Sequence, residues 1–184
     1  TIENNYNSRR KTTLESKPCS NSRVIKTTLV QPTDTNTHGT LFGGKLLAHI
    51  DDVASIAAIR HARKPVVTAS TDSVDFLAPV KVGHSITIKA FVTYTHKTSM
   101  EVFVKVVTED LLKGERKVCN TAFLTFVAVD ESGRPVPVPP VYPETEEEKR
   151  LFQSAPERRK QRQERRQRAK QVAQELVLKD DTDI

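Results

Sequence analysis

Residues 36–62 read NTHGTLFGGKLLAHIDDVASIAAIRHA, a turn-rich loop that runs into a long periodic segment. From Gly44 to about Arg63 the residues Leu46, Leu47, Ile50, Val53, Ala54, Ala57 and Ala58 recur at the spacing of a helix with one buried face. The alanines Ala48, Ala54, Ala57 and Ala58 shorten the distance at which other backbone can approach, as in a helix enclosed by a sheet. Upstream, RVIKTTLVQ is β-branched and ends at Pro32, which predicts a strand. Between them, PTDTNTHGTLFGG is a loop by its turn chemistry. Downstream, four β-rich runs occupy roughly 65–76, 84–96, 100–110 and 115–129. In the second, Ile86, Ile88, Ala90, Val92 and Tyr94 alternate with Thr87, Lys89, Phe91, Thr93 and Thr95, one set to each face. The connections at 96–99 and 111–115 suit antiparallel hairpins. The expected class is α+β: one long helix against a curved five-stranded antiparallel sheet.

The 184 residues allow one domain with additions, and the 5 % aromatic content requires a core of aliphatic residues and Phe. The expected division is a flexible polar leader at 1–22, a domain at 23–130, a proline-rich linker at 131–143 and a charged, helix-favouring tail at 144–184. The linker prediction rests on SGRPVPVPPVYPE, which holds five of the ten prolines. The net charge of +6 is concentrated in ERRKQRQERRQRAK (157–170), with eight basic and two acidic residues, 8 − 2 = +6. The rest of the chain sums to zero, so the folded core is expected not to need this tail. Its charge comes without interleaved aromatics or a helix-turn-helix, so nucleic acid is not an expected partner. No stretch approaches the ~18–20 apolar residues of a membrane span. TIENNYNSRRKTT has no apolar segment of a secretory signal. With only Cys19 and Cys119, neither in a disulfide or metal pattern, the expected location is cytoplasmic.

Three features meet where the loop enters the helix. Gly43 and Gly44 open the helix, where free backbone N–H groups and the helix dipole favour an anionic oxygen. Asn36 precedes them with an amide donor, and Asp51 lies two turns into a mostly apolar helix, where a carboxylate is costly without a purpose. Acyl transfer to water needs such donors and such a base. Each also has an ordinary reading, since glycine pairs often open helices, Asn is a turn residue and an Asp pair is usually solvated. Periodicity does not choose between Asp51 and Asp52. The five histidines (His38, His49, His61, His84, His96) form no metal motif, and no Gly-x-Ser-x-Gly elbow is present.

The stretch 36–62 resembles the loop-and-helix signature of the cytosolic acyl-CoA hydrolases, a family of hot-dog fold thioesterases. Further similarity runs through TASTDSVDFLAPVKVGHSITIKAFVTYTHKTSMEVFVKVVTED and TAFLTFVAVD, covering about residues 24–140. The resemblance implies a hot-dog fold and hydrolysis of acyl-CoA to a fatty acid and CoA, with no cofactor beyond the CoA of the substrate. It implies that Asn36 and Asp51, fifteen positions apart (51 − 36 = 15), form the active site, with Asp51 preferred to Asp52. Asn36 would come from one subunit and Asp51 from another. Gly43 and Gly44 would hold the thioester oxygen, and Lys97, Thr98 and Ser99 match the family's turn near CoA. The implied assembly is a homodimer paired along strand edges, or a trimer of such dimers. A hot-dog hydratase is the competing enzyme, through Asp34, Asn36 and His38, although the His stands one position early. An acyl-CoA-sensing module with a basic tail is the competing non-enzyme.

Overall fold

The computed structural model describes residues 14–176. Its elements are β1 (Lys17–Pro18), β2 (Val24–Leu29), α1 (Gly43–Ala62), β3 (Val66–Phe76), β4 (Ser85–His96), β5 (Ser99–Asp110), β6 (Glu115–Ala128), β7 (Val141–Tyr142) and α2 (Glu146–Glu175). Five strands form one sheet in the order β2-β4-β5-β6-β3, antiparallel throughout. The chain crosses from the β2 edge to the β3 edge through α1, which touches all five strands. This contact is close because Val53, Ala54, Ala57 and Ala58 are fully buried and carry little side chain to hold the sheet away. The helix stops at Arg63, whose φ of 53° is left-handed and whose N–H caps Ile59 O at 2.7 Å. Pro65 then steers Lys64 away from helical conformation.

The inner face of the sheet is apolar, with Val102, Val104 and Val106 of β5 fully buried beneath α1. The outer face carries an aromatic row. Phe91, Phe103 and Phe123 lie in register on β4, β5 and β6, with centroids 6.0 and 5.0 Å apart. Pairs of this kind contribute about 0.5–1.5 kcal/mol beyond their area.

In β4 the alternation expected over 84–96 holds only as far as Val92. A bulge between Val92 and Tyr94 leaves Phe91, Val92 and Thr93 all buried and turns Tyr94 to the outer face, where its ring meets Phe152 of α2 at 5.5 Å. The Val92 N–H, just past the last β2–β4 pair at Val24 and Ala90, donates to Ser22 Oγ at 2.9 Å. That bond corrects the expectation of a flexible leader at 1–22. Cys19 and Ser22 are fully buried in a 3-10 turn, and Lys17–Pro18 pairs in parallel with Val141–Tyr142. The leader's residues 1–13 lie outside the described residues.

The segment 131–143 turns at 131–133 and is then extended along its prolines, but it is no free linker. Val138 and Val141 are buried, and Val136 and Val138 donate to Ala128 O and Lys97 O at 2.9 Å each. The domain therefore does not end at 130. Nor is the charged tail separate from the core. A capping box starts α2, with Glu148 N donating to Thr145 Oγ1 (3.3 Å) and Thr145 N to Glu148 Oε2 (3.0 Å). The helix then crosses the outer face, and Arg158 forks onto Glu101 at 2.7 Å while stacking 4.2 Å over Phe123. Arg162 and Arg165 reach Asp72 at 2.7 and 2.6 Å. Asp72 can meet them because β3 bulges between Thr71 and Ser73. Glu101 is 2 % exposed, so without these cations its charge would be stranded.

Candidate active site

The loop before α1 is closed by its own side chains. Asp34 caps a 3-10 turn, its Oδ2 accepting from Gln31 N at 3.2 Å, and its carbonyl accepts from Phe42 N at 2.8 Å. Asn36 then makes a tight turn, with Asn36 N to Thr40 O at 2.8 Å and Gly39 N to Asn36 O at 3.0 Å. Gly39 occupies φ 69°, where a side chain would be strained. Asn36 Oδ1 accepts from the N–H groups of His38 (2.9 Å) and Thr40 (3.2 Å). Two donors on one side of the amide decide its orientation, so Nδ2 is the outward atom, near Thr40 Oγ1 at 3.0 Å.

Beside it, α1 begins without a side-chain cap. Lys45 N and Leu46 N turn back to Phe42 O, whereas the N–H groups of Gly43 and Gly44 have no acceptor among the described residues. A Cβ added at Gly44 would lie 2.6 Å from the exposed ring of Phe42, which would have to turn aside. Asn36 and Gly43 share a cavity of about 470 Å³ whose other walls include Leu41, Leu46, Phe76 and Val80. It is an apolar recess with an amide donor and a free helix start at its rim, suited to an acyl group with a polar carbonyl.

The helix settles which aspartate turns inward. Asp51 is half-buried and its Oδ1 accepts from Thr68 Oγ1 of β3 at 3.1 Å. Asp52 points to the opposite edge, its side chain 67 % exposed and 3.8 Å from Lys26. Asn36 and Asp51 are nevertheless not bonded to each other, and Asp51 does not line the cavity. Eight residues separate it from Gly43, which at ~1.5 Å per residue is ~12 Å along the axis. Lys97, Thr98 and Ser99 are farther still. They form the β4–β5 turn, with Lys97 at φ 31° and Ser99 Oγ donating to His96 O at 3.3 Å. Ser99 pairs with Val127 near the start of β3, whereas the cavity lies at Phe76, at the other end of that strand.

The hydratase arrangement does not form, because Asp34 is engaged in capping and the His38 side chain is exposed. His61 is fully buried with Nε2 2.8 Å from Pro139 O, and burial holds its pKa below the usual imidazole value. Among the described residues, no three His, Cys, Asp or Glu side chains come together as a metal site. Thr68, which donates to Asp51, is the residue of the candidate site that sequence reading missed. A Thr in a β-rich run carries no signal of what it faces.

The Thioesterase superfamily matches over residues 38–115. The uncharacterized acyl-CoA thioester hydrolase YkhA of Bacillus subtilis (strain 168) is 52 % identical over 89 % of this chain and 95 % of its own. A solved apo-hexameric acyl-CoA thioesterase is 54 % identical, with a TM-score of 0.81 over 83 % of this chain and 97 % of that one. The acyl-CoA hydrolase of Staphylococcus aureus, solved with butyryl coenzyme A and coenzyme A, is 44 % identical with a TM-score of 0.85, covering 88 % of this chain and 99 % of that one. That enzyme has also been solved as alanine variants of an asparagine, of an aspartate fifteen positions after it, and of a threonine seventeen positions after that. A helix wrapped by one antiparallel sheet is the hot-dog fold of thioesterases. Within that class, the chain belongs to the acyl-CoA hydrolase family.

Proposed function

We propose that this chain hydrolyses acyl-CoA to a free acid and CoA at a site built from two subunits, with Asn36 and the Gly43–Gly44 N–H groups from one and Asp51 from the other. The observation that carries the reading is the cavity at the start of α1, where an amide donor and unpaired N–H groups meet apolar walls. Asn36, Asp51 and Thr68 also repeat the spacings of the three substituted residues in the Staphylococcus aureus enzyme, since 51 − 36 = 15 and 68 − 51 = 17.

The thioester carbonyl would rest against the Gly43 and Gly44 N–H groups and Asn36 Nδ2, which stabilise the oxyanion formed on attack. Asp51 of the second subunit would take a proton from water as the oxygen adds to the carbonyl carbon. Thr68 orients that carboxylate by donating to Oδ1. Collapse of the intermediate breaks the C–S bond, and the CoA thiolate recovers the proton. The CoA moiety would run along the subunit interface past Lys97, Thr98 and Ser99. The edge strand β3 offers that interface, with Val67 at its start and Phe76 and Leu77 at its end about half exposed. Pairing of two β3 edges gives the dimer, and three dimers would give a hexamer. No cofactor is needed, and the free thiols Cys19 and Cys119 suit the cytoplasm. Among the described residues no helix is long and apolar enough to cross a membrane.

The test is release of free thiol from acyl-CoA esters of increasing chain length. Turnover with at least one chain length is expected. Failure with all of them would overturn the reading.

A further inference from the structure

Helix α2 crosses the outer face in one direction. Phe152 meets Tyr94 of β4, Arg158 meets Glu101 of β5 and Phe123 of β6, and Arg165 meets Asp72 and Ser70 of β3. In the strand order β2-β4-β5-β6-β3 this path ends at the β3 edge. The helix does not end there. It continues from Arg166 to Glu175, ten residues (175 − 165 = 10) or ~15 Å, about three strand spacings beyond its own sheet.

The projecting part keeps the same face. Ala155, Arg158, Arg162 and Arg165 are the sheet-facing positions, at alternating three- and four-residue steps. The same steps lead from Arg165 to Ala169, Val172 and Leu176. The cations that meet acids on the sheet are followed by apolar residues where the sheet has run out. Val172 and Leu176 are 52 % and 70 % exposed, with nothing beneath them among the described residues. These turns continue a helix already held by its earlier part, so what the exposed stripe lacks is a surface to pack on.

We propose that this projecting segment of α2 is a strap that packs on the outer face of a second copy of the chain, across the β3 edge. The inference rests on the proposed pairing through β3 and adds a second, separate contact to it. The occupant is a second copy because the stripe continues the line of a sheet that only another sheet edge can extend. By two-fold symmetry each copy would give and receive one strap, so the two α2 helices cross the junction antiparallel and side by side.

Amide hydrogen exchange on the full-length oligomer tests this directly. Packing should slow residues 167–175 roughly a hundredfold or more relative to an unstructured chain. Val172→Asp should remove that protection and weaken subunit association at least about tenfold by sedimentation. Val172 is half exposed within the chain, so the protomer should keep its circular dichroism spectrum. An oligomeric wild type with unprotected amides at 167–175, or unchanged association in Val172→Asp, overturns the strap and leaves the catalytic reading standing. A wild type that hydrolyses acyl-CoA as a monomer overturns both the strap and the shared site.

Discussion

Asp51 accepts a hydrogen bond from Thr68, while Asp52, one position on, lies 3.8 Å from Lys26 at the opposite edge of the sheet. Substitutions at the two neighbours should therefore differ widely. Asn36→Ala and Asp51→Ala are each expected to lower kcat about a hundredfold or more, the usual size of an oxyanion or general-base contribution. Asp52→Ala should stay close to wild type, since an exposed ion pair contributes little. Thiol-release kinetics on assembled enzyme give the comparison, and a severe Asp52→Ala beside a mild Asp51→Ala would move the base by one residue. With Asp51 as the proposed base, Thr68 would act as a positioning residue, so Thr68→Val should cost kcat roughly tenfold, the size of one hydrogen bond to a charged group. The loss should leave KM little changed and be rescued by Thr68→Ser. A Thr68→Val enzyme at the wild-type rate would reduce that bond to packing.

Helix α2 is held by charge at both its start and its middle. Burial pushes the Glu148 carboxyl up, but the N–H groups of Thr145 and Glu144 and the Arg23 guanidinium hold its pKa below the usual 4.5. A lowered folded pKa means that the native state binds fewer protons than the unfolded state. The stabilisation is therefore full above pH 4.5 and is lost as pH falls through the lower folded value. Glu148→Gln should melt earlier than wild type at pH 7, with the difference shrinking on acidification below that window. A gap in melting temperature that does not depend on pH would show that shape, and not charge, matters there. In the middle of the helix, Arg162→Ala removes a cation that is 9 % exposed beside Asp72 and Glu101; since Arg165 and Arg158 still pair with these acids, the cost should fall below the ~3–5 kcal/mol of stranding a buried charge. Calorimetry should show a drop in melting temperature for Arg162→Ala, and a larger one for a chain ending at Glu144. A truncated chain as stable as the full one would restore the picture of a detachable tail. That picture was a natural reading of the sequence, because a run of cations shows its charge and not its partners. Glu101 and Asp72 stand 57 and 90 residues from Arg158 and Arg162. Ser22 is hidden in the same way, since its use is to accept from a backbone N–H seventy residues on. The long strands and α1 were legible because their periodicity is local, and their observed ends fall within one or two residues of the expected ones.

At the scale of the molecule, the candidate groups stand apart along α1 of one protomer. The donors at Asn36, Gly43 and Gly44 gather at the start of α1, while Asp51 sits ~12 Å along its axis, turned toward the edge strand β3. One chain thus presents half of a site at each of two places, and a second chain related by a two-fold axis across β3 would complete both. This arrangement has a quantitative consequence for mixtures of inactive chains. In a dimer of one Asn36→Ala chain with one Asp51→Ala chain, one site receives both substitutions and the other receives none. Random pairing of equal amounts makes half of the dimers mixed, so about a quarter of wild-type activity should return, by the statistics of a symmetric pair. If both residues instead served one site within one chain, every site in the mixture would lack one of them and activity would stay at the level of the single variants. The measurement is thiol release after the two purified variants have exchanged subunits, with mixed dimers verified by mass. Recovery of roughly that quarter supports the shared site, and exchange without recovery places both groups in one chain.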